Sequence, residues 1–312
     1  MFAISVILCS YNPREEYLRR VLKALEAQTL PTTEWELLLM DNASNQPLSG
    51  RFDLSWHPNA RIILEPKPGK THAILQAIAV SKGDILVIVD DDNVLRKDYL
   101  QTCLKLSSEW PVLGCWGGSC IGEFEIEPAN ELRPWLAGLV VEKVSEAVWA
   151  KLPTQGKAVP PGAGMAVRRK VALHYREEVM RDPLRQALGR TGKKLAAGED
   201  SDMALCGFKL GLGMGRFPEL ELTHLISARR LTLEYLEGLY EGFGYSGIIL
   251  EAIHGKGPWY PYRQQPIAKG LFLRWLILFA RGAGRVERRI KLAEIRGQLA
   301  AQRDLRHLGY AV

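Results

Sequence analysis

Apolar residues over the first hundred positions follow two rhythms. Short runs at Ala3–Cys9, Trp35–Met40, Arg61–Leu64 and Ile85–Val89 are rich in Val, Ile and Leu and are bounded by Asn, Asp, Pro or Gly. Such runs predict strands buried on both faces, as in a parallel sheet. Between them the apolar positions recur at helical spacing: Tyr17, Leu18, Val21, Leu22 and Leu25 within Arg14–Gln28, and Ile74, Leu75, Ile78 and Ala79 within Thr71–Ser81. Alternating strands and helices joined by right-handed crossovers predict an α/β fold, a doubly wound sheet with helices on both faces.

The pattern is less regular from 110 to 170, where Gly, Pro and Trp are frequent, and predicts further strands and a long excursion including Glu131–Lys151. Residues 171–210 read as helical around a loop near Gly189–Gly198, and Thr232–Tyr240 begins another helix. The Pro- and aromatic-rich stretch Gly255–Pro266 marks a boundary, after which Ala268–Gly309 reads as helical. The expected organisation is a catalytic domain over residues 1–250 and a helical, basic C-terminal extension over 251–312.

Composition adds little to this picture except for charge. A hydrophobic fraction of 47% and a charged fraction of 24% are those of an ordinary globular chain of 312 residues. The run at residues 3–9 is too short for a leader peptide and meets Tyr11-Asn12-Pro13, a turn. No stretch reaches the roughly 18 apolar residues of a membrane-spanning helix. The five cysteines are scattered without metal-ligand spacing, as expected of reduced core residues in a cytoplasmic protein. The net charge is +6, and the segment from Lys269 to Arg296, with eight basic and two acidic residues, carries +6 by itself. The charge is therefore concentrated near the C-terminal end.

Ligands of an open α/β sheet bind beyond the carboxyl ends of the strands, and acidic residues stand there. The run Trp35–Met40 leads into Asp41-Asn42-Ala43-Ser44, and Ile85–Val89 leads into Asp90-Asp91-Asp92-Asn93. Three consecutive carboxylates repel one another unless a cation neutralises them, and oxygen-rich clusters suit Mg²⁺ or Mn²⁺ with a substrate diphosphate completing the shell. A solvated turn that caps the next helix is the alternative. A second acidic group, Glu199-Asp200-Ser201-Asp202, reads either as the acidic first turn of a helix or as the source of a general base. His224 lies in an apolar stretch and is either a hydrogen-bonded core residue or a further metal ligand.

Taken in order, these motifs resemble family 2 glycosyltransferases of the GT-A fold. The resemblance covers about residues 3–250. It is carried by Ser5–Pro13, Gln28-Thr29, Leu38–Ser44, Gly83-Asp84-Ile85 leading to Asp90-Asp91-Asp92, Gly162–Met165 followed by Arg168-Arg169, Gly198-Glu199-Asp200, and His224 with Arg229-Arg230-Leu231. It implies a GT-A, Rossmann-like, mostly parallel sheet and an inverting transfer of a sugar from a nucleotide-diphosphate donor, a UDP-sugar, to a hydroxyl acceptor, saccharide or lipid-linked saccharide. By the same resemblance Asp41 recognises the nucleotide base, the turn Ser10, Tyr11 and Asn12 lines its pocket, and Asp90 or Asp91 approaches the ribose. Asp92 and His224 hold Mn²⁺ or Mg²⁺, Gly164 belongs to the donor- and acceptor-side loop, and Arg229 or Arg230 lies near the leaving phosphates. Asp200 is the general base, with Glu199 beside it. One departure is visible: the family often shows Ala-Arg-Asn after the third strand, whereas here Gly69-Lys70-Thr71-His72-Ala73 stands, so that Lys70 supplies the positive charge.

Two other readings are weighed. A dinucleotide-dependent oxidoreductase lacks its Gly-x-Gly-x-x-Gly after the first strand. A catalytically silent GT-A domain that binds a nucleotide-sugar or acts as a scaffold would not need this full set of polar groups. In the tail, Phe272, Trp275 and Phe279 precede Arg281, Arg285, Arg288, Arg289 and Lys291. That order suits either a core helix followed by a basic helix, or an interfacial anchor on an anionic membrane surface, peripheral at the inner face of the plasma membrane. No nucleic-acid partner is expected, because the basic tail lacks interleaved aromatics beyond these three.

Overall fold

The four apolar runs form adjacent strands. β1 (Ile4–Ser10), β2 (Trp35–Asp41) and β4 (Ile85–Asp90) are buried almost throughout, while β3 (Ala60–Leu64) is a half-exposed edge. They pair in parallel in the order β3-β2-β1-β4. The computed structural model describes residues 2–151, 156–190, 196–255 and 284–310. Within these the sheet continues through β8 (Ala166–Arg168), β6 (Leu113–Phe124) and β9 (Gly213–Ile226) to β5 (Asn93–Leu95), and β7 (Val148–Ala150) adds to β9. The long strands β6 and β9 are parallel, and the three-residue strands β5, β7 and β8 pair antiparallel.

Strand residues alternate between two cores, as the period of two requires. Val6 and Leu8 face α1 (Glu15–Glu26) and α3 (Tyr99–Glu109), whose Leu18, Val21, Leu25, Leu100 and Cys103 are buried there. Ile7 and Cys9 face α2 (Lys70–Val80), α4 (Arg169–Arg181) and α6 (Glu199–Lys209). This is the expected two-faced architecture. Between α4 and α6 lies the single turn α5 (Pro183–Gln186), capped by Asp182, which accepts from Leu184 N–H at 2.9 Å. All five cysteines are free and buried, and burial pushes the thiols of Cys9, Cys120 and Cys206 up to about 12.

The boundary expected at 250 falls inside α7 (Leu233–His254), four residues from its end. The last helix, α8 (Arg285–His307), lies along α7 with Val286, Ile290, Ala293, Gly297, Ala301 and Leu305 inward. The two backbones nearly touch. A Cβ on Gly244 would stand 2.0 Å from the Glu294 carbonyl oxygen, and one on Gly297 1.9 Å from that of Glu241. Basic residues of α8 pair with α7: Arg289 grips Glu237 through two hydrogen bonds, and Arg296 meets Glu241 at 3.0 Å. The basic helix is thus part of the fold rather than a solvated arm. The aromatic stretch with Phe272, Trp275 and Phe279 lies outside the described residues, and among those described no helix is long and apolar enough to cross a membrane.

Candidate active site

The carboxyl ends of β1, β2 and β4 meet at one edge. Ser10, the last residue of β1, donates its hydroxyl to Asp91 at 2.7 Å. Asn12 and Ala43 both adopt positive φ (47° and 57°), and their turns are tied together. Asn12 N–H donates to Ser44 Oγ at 3.0 Å, and Asn45 N–H to Asn12 Oδ1 at 2.8 Å. Asp41 is buried and accepts from Ser44 N–H and Leu48 N–H, so it shapes the wall of this hollow as well as lining it. Tyr11 stands exposed at the rim. Asn42, which the sequence reading passed over, staples the loop before α2: its amide donates to the Lys67 carbonyl, and its oxygen accepts from Gly69 N–H, both at 2.8 Å.

The triple aspartate splits into three different environments. Asp90 pairs with Lys70 at 2.6 Å, and Lys70 also lies 3.8 Å from Glu199, which joins the end of β4 to the start of α6. Burial acts to lower the Lys70 pKa, but Asp90 and Glu199 outweigh it and the ammonium is held charged. Asp91 is pushed up, first by burial and then by Asp92 beside it. Asp92 is held low: burial works against its charge, but His224 and Arg230 overcome that.

His224 reaches Asp92 through strand register. β5 pairs antiparallel with β9 so that Asn93 opposes His224, and Leu225 N–H donates to the Asp92 carbonyl at 2.8 Å. His224 Nε2 then lies 3.4 Å from Asp92 Oδ2. Arg230 Nη1 is 2.7 Å from the same oxygen and 3.0 Å from the same nitrogen. Arg229 next door is exposed. Glu125, unmarked by any sequence signal, accepts from Ala228 N–H at 2.7 Å and so fixes the turn that presents Arg230.

Across the site, α6 opens with the second acidic pair. Glu199 is buried and faces Lys70; burial, reinforced by Asp200, raises its pKa against the pull of Lys70. Asp200 is half-buried and accepts from Gly162 N–H at 2.8 Å. Gly164 has φ 73°, and a Cβ there would stand 2.4 Å from the Tyr99 hydroxyl, which donates to the Gly164 carbonyl at 2.8 Å. Its glycine is required by packing on α3, with the loop backbone thereby held beside Asp200. Arg168 and Arg169 do not join this loop's chemistry. β8 runs antiparallel to β4, so they emerge at the opposite edge, where Arg168 donates to the Leu113 and Ser107 carbonyls and Arg169 to Ser81 Oγ. Arg190 was also missed by sequence reasoning. Its carbonyl accepts from Lys70 N–H, a Cβ on the preceding Gly189 would meet Thr71 Oγ1 at 1.9 Å, and Tyr235, Glu199, Asp90 and Asp92 hold its guanidinium charged against burial.

These contacts gather carboxylates and basic groups side by side at the edge where open sheets bind ligands. The Glycosyl transferase family 2 profile matches residues 5–175, more than half of the sequence. The chain belongs to glycosyl transferase family 2. It is a glycosyltransferase whose fold is that of the GT-A enzymes. Among solved structures it is similar to S. aureus TarS 1-349 in complex with UDP-GlcNAc, at 16% identity and TM-score 0.52, over 80% of this chain and 67% of that one. It is similar also to TarS 1-349 without that ligand in its description, at 12% identity and TM-score 0.51, over 98% and 92%. A third is GalNAc-T7 with UDP, GalNAc and Mn²⁺, at 14% identity and TM-score 0.52, over 80% of this chain but 51% of that one. No curated protein matches the sequence. The profile match ends before α6 and β9, so the second acidic pair, His224 and Arg230 stand on this structure's own geometry.

Proposed function

We propose that this family 2 glycosyltransferase is a divalent-metal-dependent, inverting enzyme that moves a sugar from a UDP-sugar to a hydroxyl of a saccharide or lipid-linked saccharide. The observation that carries the reading is the approach of Asp92 Oδ2 and His224 Nε2 to 3.4 Å just beyond the carboxyl end of β4. Among the described residues no group of three His, Cys, Asp or Glu side chains gathers to enclose a metal. Two protein ligands with room for phosphate oxygens suit Mn²⁺ or Mg²⁺ bound together with its substrate. A positive group, Arg230, already lies against both ligand atoms, which supports a site built to hold a cation's charge. The TarS and GalNAc-T7 structures, described with UDP-GlcNAc and with UDP and Mn²⁺, support the donor class and the metal.

The bound metal would supply Lewis-acid stabilisation of the charge that develops on the departing diphosphate. The protein's own residues do the rest. Asp41, Ser10, Tyr11 and Asn12 hold the nucleoside, with Asp90 or Asp91 toward the ribose. Arg230, displaced from the ligand pair, Arg190 and the exposed Arg229 turn to the phosphates. Asp200, held by Gly162 N–H, takes the proton of the acceptor hydroxyl as it attacks the anomeric carbon from the opposite side, and one displacement inverts that centre. Glu199, buried against Lys70, is the lesser candidate for that proton. Calorimetry of UDP binding with and without Mn²⁺ tests the donor and metal, and NMR of the product's anomeric centre tests inversion. No Mn²⁺ dependence, or a retained configuration, would overturn the respective part.

A further inference from the structure

α7 does more than close the domain. On its inner face Ser246 is 1% exposed and its Oγ accepts Ala197 N–H at 3.0 Å, immediately before Gly198-Glu199-Asp200. Gly198 is wedged between elements: a Cβ on it would stand 3.1 Å from Leu188, 3.2 Å from Ser246 Cβ and 3.5 Å from Leu250. One further turn along α6, Asp202 is fully buried and takes His254 Nε2 at 2.6 Å and Arg185 Nη1 at 2.5 Å on the same oxygen. His254 is the last residue of α7. So α7 grips α6 on both sides of Asp200, once at the backbone ahead of it and once at a side chain behind it. On its outer face α7 is braced by α8 through the two glycine contacts and through the Tyr245 hydroxyl, which donates to Asp304 at 2.9 Å.

We propose that Ser246 and His254 are positioning residues that hold the first turn of α6 so that Asp200 stays against Gly162, which makes the C-terminal helix pair part of the acceptor-side machinery. The proposal rests on the reading of Asp200 as the general base. Neither residue touches substrate; each acts through the helix that carries the acid. A buried carboxylate such as Asp202 is costly unless paired, and an apolar residue at 254 would leave Arg185 as its remaining partner and cut the tie from α6 to the end of α7. Asp200 moves as α6 moves, and a shift of about 1 Å in a reacting group can cost on the order of 10²-fold in rate.

The test uses the full chain with Ser246→Ala, His254→Leu and His254→Gln, the last keeping an N–H donor. Amide hydrogen exchange of the Gly162–Met165 segment reports whether Gly162 N–H still has its acceptor, and UDP calorimetry reports the donor side. Turnover is read with UDP-GlcNAc and UDP-GalNAc as donors. The expected result is faster exchange at Gly162 in Ser246→Ala and His254→Leu, turnover down by about tenfold or more, UDP affinity unchanged, and substantial rescue in His254→Gln. Parental exchange at Gly162 in both Ser246→Ala and His254→Leu would overturn the proposal, as would equal damage in Leu and Gln variants. Asp200→Asn separates the two readings: parental turnover there would move the base elsewhere, whereas the exchange at Gly162 still decides whether α7 positions α6.

Discussion

Arg230 Nη1 lies 2.7 Å from Asp92 Oδ2 and 3.0 Å from His224 Nε2, between the two side chains proposed to share a metal. A guanidinium there helps to hold Asp92 charged, and for the proposed divalent cation to take the same two atoms it would have to leave them. Arg230→Gln should therefore bind Mn²⁺ alone more tightly than the parent, because the competitor is gone, yet bind UDP in the presence of Mn²⁺ more weakly. Paramagnetic resonance of free Mn²⁺ measures the first effect and calorimetry the second. Tighter UDP binding in the variant would show that Arg230 has no part in holding phosphate.

Asp92→Asn should remove the Mn²⁺-dependent part of UDP binding and leave the fold intact, since the side chain is partly solvated. Equal affinity in variant and parent, measured with Mn²⁺ present, would displace Asp92 from the site.

Asp200→Asn keeps the shape of the side chain but removes its basicity. Transfer should fall by about 10²- to 10⁴-fold with UDP affinity unchanged. Glu199→Gln should be milder in rate, but it should change the response of stability to pH. Burial raises the Glu199 pKa above its ordinary 4.5, so the stability this group contributes is present at acid pH and is lost as pH rises from 4.5 through the higher folded-state value. The melting temperature of Glu199→Gln minus that of the parent should therefore climb with pH over that window. A flat difference would mean that Lys70 compensates the buried charge completely.

Gly297→Ala would place a methyl group on the Glu241 carbonyl, and the two helices would have to part. Overpacking of this kind costs about 1–3 kcal/mol. Thermal unfolding should show the loss, and a parental melting temperature would mean that α7 and α8 part at this contact without cost.

What could be read in the sequence divides along physical lines. The parallel half was legible because a strand buried on both faces must be an uninterrupted apolar run, and because Asp41 and Asp90 follow such runs directly. The helices facing it were legible by a different signal, the helical spacing that turns Leu18, Val21, Leu22 and Leu25 all inward. The antiparallel additions were not, since β5, β7 and β8 have three residues each and carry no period. This is why Arg168 and Arg169 were expected near the acceptor loop although the reversed direction of β8 carries them to the far edge. The pairing of His224 with Asp92 depends on the β5–β9 register, so spacing alone offered the two residues and only the family resemblance put them together. Arg190 and Glu125 gave no signal at all: each is a single charged residue in a loop or at a strand end, and its importance comes from what the fold brings beside it.

The buried cysteines have a practical consequence. Only a thiolate reacts readily with alkylating reagents, and all five thiols are enclosed, with those of Cys9, Cys120 and Cys206 pushed up to about 12. The native chain is therefore a quiet background for chemical labelling. A cysteine introduced at the exposed Gln46, next to the Asn45 that is tied to Asn12, would take up a fluorophore nearly alone, and its emission would report directly on the loop after Asp41 without a coupled assay.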